Sequence, residues 1–193
     1  MRWVKVVASL RSMTPVLFSR AIPEDEIKRK DETGDKFEER VWRKRAHVTK
    51  EGQLLLPSTF FTISLQNAAK YRGDKIQGKS QATYTKHFAG GAYCVKGITL
   101  PIKGSEVDFE RIYCLAQPNK GPNGARVFRN FPIVPSWKGD VEYNIIDEEI
   151  NEDIFRKVLE TSGLNIGIGA FRPQNRNQNG RFLVEELIWM EQK

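Results

Sequence analysis

Cysteine and histidine are scarce in this chain of 193 residues. It has two cysteines, Cys94 and Cys114, and two histidines, His47 and His87. No CxxC pair and no Cys/His ligand spacing occurs, which argues against a zinc centre. A chain this long can bury a core without covalent staples, so both thiols are expected reduced, in a cytoplasmic compartment. Long apolar runs are also missing: nothing approaches the length of about 18 residues that spans a bilayer. The first residues, Met1-Arg2-Trp3-Val4-Lys5-Val6-Val7, alternate and read as a strand, not a signal peptide. Hydrophobic residues at 39% and charged residues at 28% exclude a disordered or membrane-embedded chain. The expectation is one soluble domain over residues 1–193 with no membrane partner.

What is present is an excess of positive charge, and it is uneven. Lysine and arginine number 31 against 24 acids, a net +7. Residues 70–103 hold Lys70, Arg72, Lys75, Lys79, Lys86, Lys96 and Lys103 against Asp74 alone. Residues 118–138 hold Lys120, Arg126, Arg129 and Lys138 and no acid, and residues 170–182 hold Arg172, Arg176 and Arg181, again with none. The acids gather at 24–39 and 147–160. Segregated charge of this kind draws phosphate polyanions, although lysine-rich loops are also ordinary solvated surface.

Periodicity supplies the elements. Strands are expected at 2–10, 41–48, 53–56, 92–102, 111–116, 127–134, 141–146 and 182–190. A helix opens after Pro57 with Ser58 as its cap, carries Phe61, Leu65, Ala68 and Ala69 inward, and ends at Gly73. A second begins at Asn151, buries Ile154, Phe155, Val158 and Leu159, and stops at Gly163. Residues 11–40, with their mixed-charge run, read as an exposed insertion. Residues 73–91 read as a basic loop with room for a short helix, and 118–124 as a turn. Without the insertions the order is βαββαβ. This predicts an α+β, ferredoxin-like (RRM-like) antiparallel sheet with both helices on one face and the other face open.

Gly73-Asp74-Lys75-Ile76-Gln77-Gly78-Lys79-Ser80 fits G-x-x-x-x-G-K-[ST]. A phosphate-cradling P-loop needs a buried strand before it and a helix directly after it. Here the preceding segment reads as a helix, so the match is expected to be a flexible basic loop and not a nucleotide site. No cofactor and no metal are called for.

Leu54-Leu55-Leu56-Pro57-Ser58-Thr59-Phe60-Phe61 resembles the RAMP superfamily signature, an apolar strand followed by Pro and small residues that open the first helix. Gly167-Ile168-Gly169-Ala170-Phe171-Arg172, with Gly180-Arg181-Phe182-Leu183-Val184, resembles that superfamily's glycine-rich loop before the last strand. These are RRM-fold proteins that build CRISPR effector backbones and process guide RNAs, and the likeness extends to solitary phage and prophage proteins. It implies binding of RNA or single-stranded DNA, with the chain as a homo-oligomer or a subunit of a larger complex. It also implies two catalytic alternatives: a histidine as general base, for which His87 is the weak candidate, and a loop aspartate, Asp31 or Asp35.

The residues point the same way without the family. Gly167 and Gly169 permit close backbone approach, and the arginines and amides beside them suit phosphate and base edges. A tight helix-to-strand connection would use the same glycines. Among the rings in basic segments (Tyr84, Tyr93, Phe128, Phe131, Trp137 and Phe171), Trp137 is the expected exposed stacking platform. The nucleic-acid-binding set is therefore Arg72, Lys75, Lys79, Lys86, Lys120, Arg126, Arg129, Trp137, Lys138, Gly167, Gly169, Arg172, Arg176 and Arg181. The expected function is non-catalytic. Its rivals are a protein-interaction module acting on a host nucleoprotein complex, a ribonuclease and a P-loop NTPase.

Overall fold

The computed structural model describes residues 3–116 and 124–192. Along the chain run β1 (Trp3–Ser12), β2 (Val16–Leu17), α1 (Gly34–Val41), β3 (Gln53–Leu56), α2 (Ser58–Arg72) and α3 (Thr85–Gly91). They are followed by β4 (Ala92–Lys96), β5 (Ile98–Lys103), β6 (Asp108–Leu115), β7 (Arg126–Val134), β8 (Lys138–Ile145), α4 (Glu152–Thr161) and β9 (Phe182–Gln192). The class is α+β, with antiparallel sheets. The largest sheet has the order β4-β8-β1-β9, a second is β2-β7-β6, and β3 pairs with β5.

Alternation in β1 decides which face of the large sheet is covered. Val4, Val6, Ala8 and Leu10 are buried, while Lys5, Val7 and Ser9 between them are only half-buried. The buried set joins Val141, Tyr143 and Ile145 of β8, Phe61, Leu65 and Ala68 of α2, and Phe155, Val158 and Leu159 of α4 in one core. No helix among the described residues is long and apolar enough to cross a membrane.

Both helix starts use the chain's local chemistry, in different ways. Asn151 caps α4 by accepting the Ile154 N–H at 3.0 Å. Ser58 does not cap α2: it is already the first helical residue, and Pro57, extended at φ −69 and ψ 151, stands outside it with no side-chain acceptor to offer. Gly73 closes α2 in the left-handed region, as expected. Gly163 does not stop α4. The chain winds on through a π-turn at Ser162–Ile166, and Gly167 ends it by donating to the Ser162 carbonyl at 2.8 Å.

Residues 41–48 are not a strand. Glu38, Val41, Trp42 and Arg45 are buried at intervals of one to four residues, so α1 runs into a 3₁₀ turn at Trp42–Arg45. The 11–40 segment is less open than its composition suggests. Val16, Leu17 and Phe18 are fully buried, and β2 pairs with β7. The charged run folds back on α1: Arg40 pairs with Glu26 at 2.5 Å and Glu32 at 2.9 Å, and Lys44 also meets Glu26. Its hydrogen bonds to Arg40 hold the Glu32 carboxyl at about 2. The expected turn at 118–124, with Lys120, lies outside the described residues except for Gly124.

Candidate nucleic-acid interface

The loop between α4 and β9 is pinned to the body by its backbone. Ala170 N–H donates to the Leu17 carbonyl at 2.8 Å, Gly180 N–H to Pro15 at 2.7 Å and Ile168 N–H to Gly180 at 2.9 Å. Two glycines make this approach possible. A Cβ on Gly180 would lie 1.9 Å from the Ile168 carbonyl oxygen, and one on Gly169 would lie 2.5 Å from that of Leu17. The same path forces Phe171 to φ 52, a left-handed conformation that costs a residue with a side chain about 1–3 kcal/mol. Its ring meets Phe131 of β7 edge-on at 4.9 Å.

Between this loop, residues 19–22 and strands β6 and β7 lies a cavity of about 690 Å³. Arg20, Arg45, Arg129 and Arg172 line it, and no carboxylate does among the described residues. Arg45 is neutralised. Its guanidinium makes a two-pronged bond to Glu38, at 2.8 and 3.0 Å, out of solvent. Arg129 donates to the Ala116 carbonyl at 2.6 Å. Arg172 is half-buried, and its Nε is fully buried with no hydrogen-bond partner. Burial pushes the Arg172 pKa down, yet a guanidinium stays charged. Arg20 is exposed, and its charge, after burial, helps lower the pKa of His47. The cavity therefore gathers three guanidiniums with no carboxylate partner among the described residues, beside an aromatic wall.

Gly169, Arg129 and Arg172 of the expected set meet at this cavity, with Gly167 in the same loop. Arg176 is exposed on the loop's outer turn, and Arg181 donates to the Leu164 carbonyl and to Gln178 at 3.2 Å. Arg126 lies 6.0 Å from the Tyr113 ring, and Lys138 is exposed at the start of β8. Lys75, Lys79, Lys86 and His87 sit elsewhere. Their loop enters the sheet at Ala92, opposite Ile145 and hence Val4, whereas the glycine-rich loop enters at Phe182, opposite Ser12. Along β1 these points are roughly 27 Å apart at 3.4 Å per residue. The loops that carry these two groups of cations thus join the sheet at opposite ends of β1.

Several expectations are corrected here. Trp137 is buried, not an exposed platform: it packs against Phe61 and Phe182 at 6.2 and 6.0 Å because its loop folds onto the end of β1, with Ser12 N–H on the Trp137 carbonyl. The open face of the large sheet is not a free basic surface. Lys5 and Lys96 pair with Glu142, Arg11 with Glu185, and Ser9 donates to Asp140. Arg72 is engaged by Asp74 at 2.6 Å and Thr161 at 3.0 Å. The G-x-x-x-x-G-K-S segment follows α2 instead of a strand, no helix begins until Thr85, and the Lys79 amine lies 2.5 Å from Glu149. His87 Nδ1 lies 2.8 Å from Asp147, whose other oxygen accepts the Glu149 N–H.

The sequence reading missed Arg20, Arg45 and Glu38. Arg20 carried one legible signal: it follows an apolar Val16-Leu17-Phe18 run and precedes the acidic stretch. The 38–45 pair had none.

No family model and no curated protein matches the chain. Among solved structures the chain is similar to one chain of a cryo-EM structure of the Type III-B Cmr-beta bound to cognate target RNA. The identity is 10% and the TM-score 0.48, covering 98% of this chain and 61% of that one. It is also similar to a chain of a CRISPR RNA-guided surveillance complex, with 10% identity and a TM-score of 0.35, covering 96% and 67%. The chain thus spans about three fifths of the length of the first of these. Likeness at this level does not transfer a function.

Proposed function

We propose that this chain binds RNA or single-stranded DNA without cleaving it, as part of a nucleoprotein assembly. In this reading β1, α2, β4, β8, α4 and β9 form a ferredoxin-like, RAMP-type body. The glycine-rich loop, residues 19–22 and strands β6 and β7 are its working end. The observation that carries the proposal is the Arg20–Arg129–Arg172 cavity, which has no lining carboxylate among the described residues. Burying a cation is costly unless an anion offsets it, and phosphate oxygens match a guanidinium fork. On the other face of β6 and β7 from Arg129 and Phe131, Tyr113 and Phe128 are exposed, with ring centroids 5.0 Å apart, and Arg111, paired with Asp35 at 3.3 Å, lies 4.9 Å from the Phe128 centroid. Such rings suit bases and not duplex backbone.

Fluorescence anisotropy with single-stranded RNA, single-stranded DNA and duplex at two salt concentrations tests this. Single strands should bind more tightly than duplex. Log affinity should fall with log salt by about 0.7 per phosphate contacted, and Arg20→Ala and Arg172→Ala should each flatten that slope by roughly this amount. Absence of binding at low salt overturns the proposal and favours a protein partner.

A further inference from the structure

We propose that the cavity takes a terminal phosphate monoester, so that the chain recognises the end of a nucleic-acid strand and not its interior. The inference rests on the nucleic-acid reading above and adds which part of the polymer is held.

Charge is the first argument. An interior phosphodiester carries one negative charge, whereas a phosphate monoester carries about −1.5 to −2 at pH 7 and presents three acceptor oxygens. Arg20, Arg129 and Arg172 offer three guanidiniums with no carboxylate partner among the described residues. Arg45, which would make a fourth, is already held by Glu38. An interior diester would leave most of that charge unmatched, but a monoester can accept from all three.

Size is the second. Proteins that track a strand's interior use open grooves covering about 4–16 nucleotides. A space of about 690 Å³ is within the range of pockets for single small molecules. Residues 19–22, Arg45, β6, β7 and the glycine-rich loop line it, and the space suits one nucleotide. Of its donors, Arg129 is tied to the Ala116 carbonyl at 2.6 Å and Arg172 follows the left-handed Phe171 in the pinned loop, while Arg20 is exposed. The Phe171–Phe131 pair then supplies an apolar wall for the terminal base or sugar.

The test uses one single-stranded oligonucleotide sequence in four forms: 5′-phosphorylated, 3′-phosphorylated, hydroxyl at both ends, and ligated into a circle. Anisotropy competition should show one phosphorylated form binding at least about tenfold more tightly than the hydroxyl and circular forms, the worth of one charge-assisted hydrogen bond. Arg172→Ala should bring that ratio near one, with circular dichroism confirming that the variant is folded. Arg20→Ala, at an exposed position, provides a second variant with the same expected effect. If all four forms bind equally, the end-recognition proposal fails and the general nucleic-acid reading stands. If none binds, the general reading fails with it. A nucleoside monophosphate that competes as well as the phosphorylated strand overturns the strand-end assignment in favour of a free nucleotide.

Discussion

Replacing Glu38 by alanine should cost the protein about 3–5 kcal/mol, the usual loss when one partner of a buried ion pair is removed. Glu38 Oε1 accepts from Arg45 Nη1 at 2.8 Å and from the Asn130 N–H at 2.7 Å, and Oε2 accepts from Arg45 Nη2 at 3.0 Å. The carboxylate thereby ties α1 to the turn after it and to β7. With it gone, a buried guanidinium and a buried backbone N–H lose their acceptor together. Against a total stability of about 5–15 kcal/mol this is a large fraction. For a chain of this size it corresponds to a drop of about 6–20 °C in Tm. Urea unfolding followed by circular dichroism would measure it. The double variant Glu38→Leu with Arg45→Met should recover much of the loss, because it leaves no buried charge and only the Asn130 N–H unpaired. The Glu38→Ala variant also frees the Arg45 charge into the cavity. A phosphorylated oligonucleotide should therefore raise its Tm by more than it raises that of the unaltered protein. A loss below about 1 kcal/mol, as for an exposed pair, would refute the reasoning.

Gly180→Ala should destabilise the protein and abolish strand binding, because its Cβ would lie 1.9 Å from the Ile168 carbonyl oxygen at φ +77; unchanged binding would show that the loop relaxes freely. His47 packs between Phe18 and Phe60, and burial, then Arg20, lowers its pKa from the usual 6.5. The folded state therefore favours the neutral ring, while the unfolded chain takes up a proton near 6.5. Its contribution is intact above that pH and is lost as pH falls below it. His47→Phe should flatten the Tm profile between pH 7 and 5.5, and an unaltered profile would contradict this. Lys79→Ala removes a half-exposed pair with Glu149 and should change stability by no more than about 1 kcal/mol. Protection of the fold by ATP with Mg²⁺, lost in that variant, would restore the nucleotide-site reading that the geometry argues against.

Local rules made much of the body legible. The stop of α2 at Gly73 and the Asn151 cap of α4 each depend on residues within one turn of the chain. Errors arose where a local pattern had two physical solutions. Pro57-Ser58 contains a capping hydroxyl, yet the rigid proline took the boundary position. Trp137 sits among turn residues, yet the turn folds over the core. Positive charge along 70–90 was plain, but Lys79 finds Glu149 seventy positions away. Local composition cannot report such a partner.

The alternation of Val4, Val6, Ala8 and Leu10, the apolar stripe of α4 and the acid-poor arginine segments follow from the chain's own order, because periodicity and composition are properties of neighbours. Which arginines meet at one cavity was decided only by folding. Arg20, Arg129 and Arg172 come from three distant stretches, and the backbone bonds from Leu17 and Pro15 to the glycine-rich loop help bring them to one cavity. The pairing of Glu38 with Arg45 removes a fourth cation there. Charge density along a sequence counts cations, whereas electrostatic function depends on which of them remain uncompensated at short range, and that is a property of three-dimensional contact.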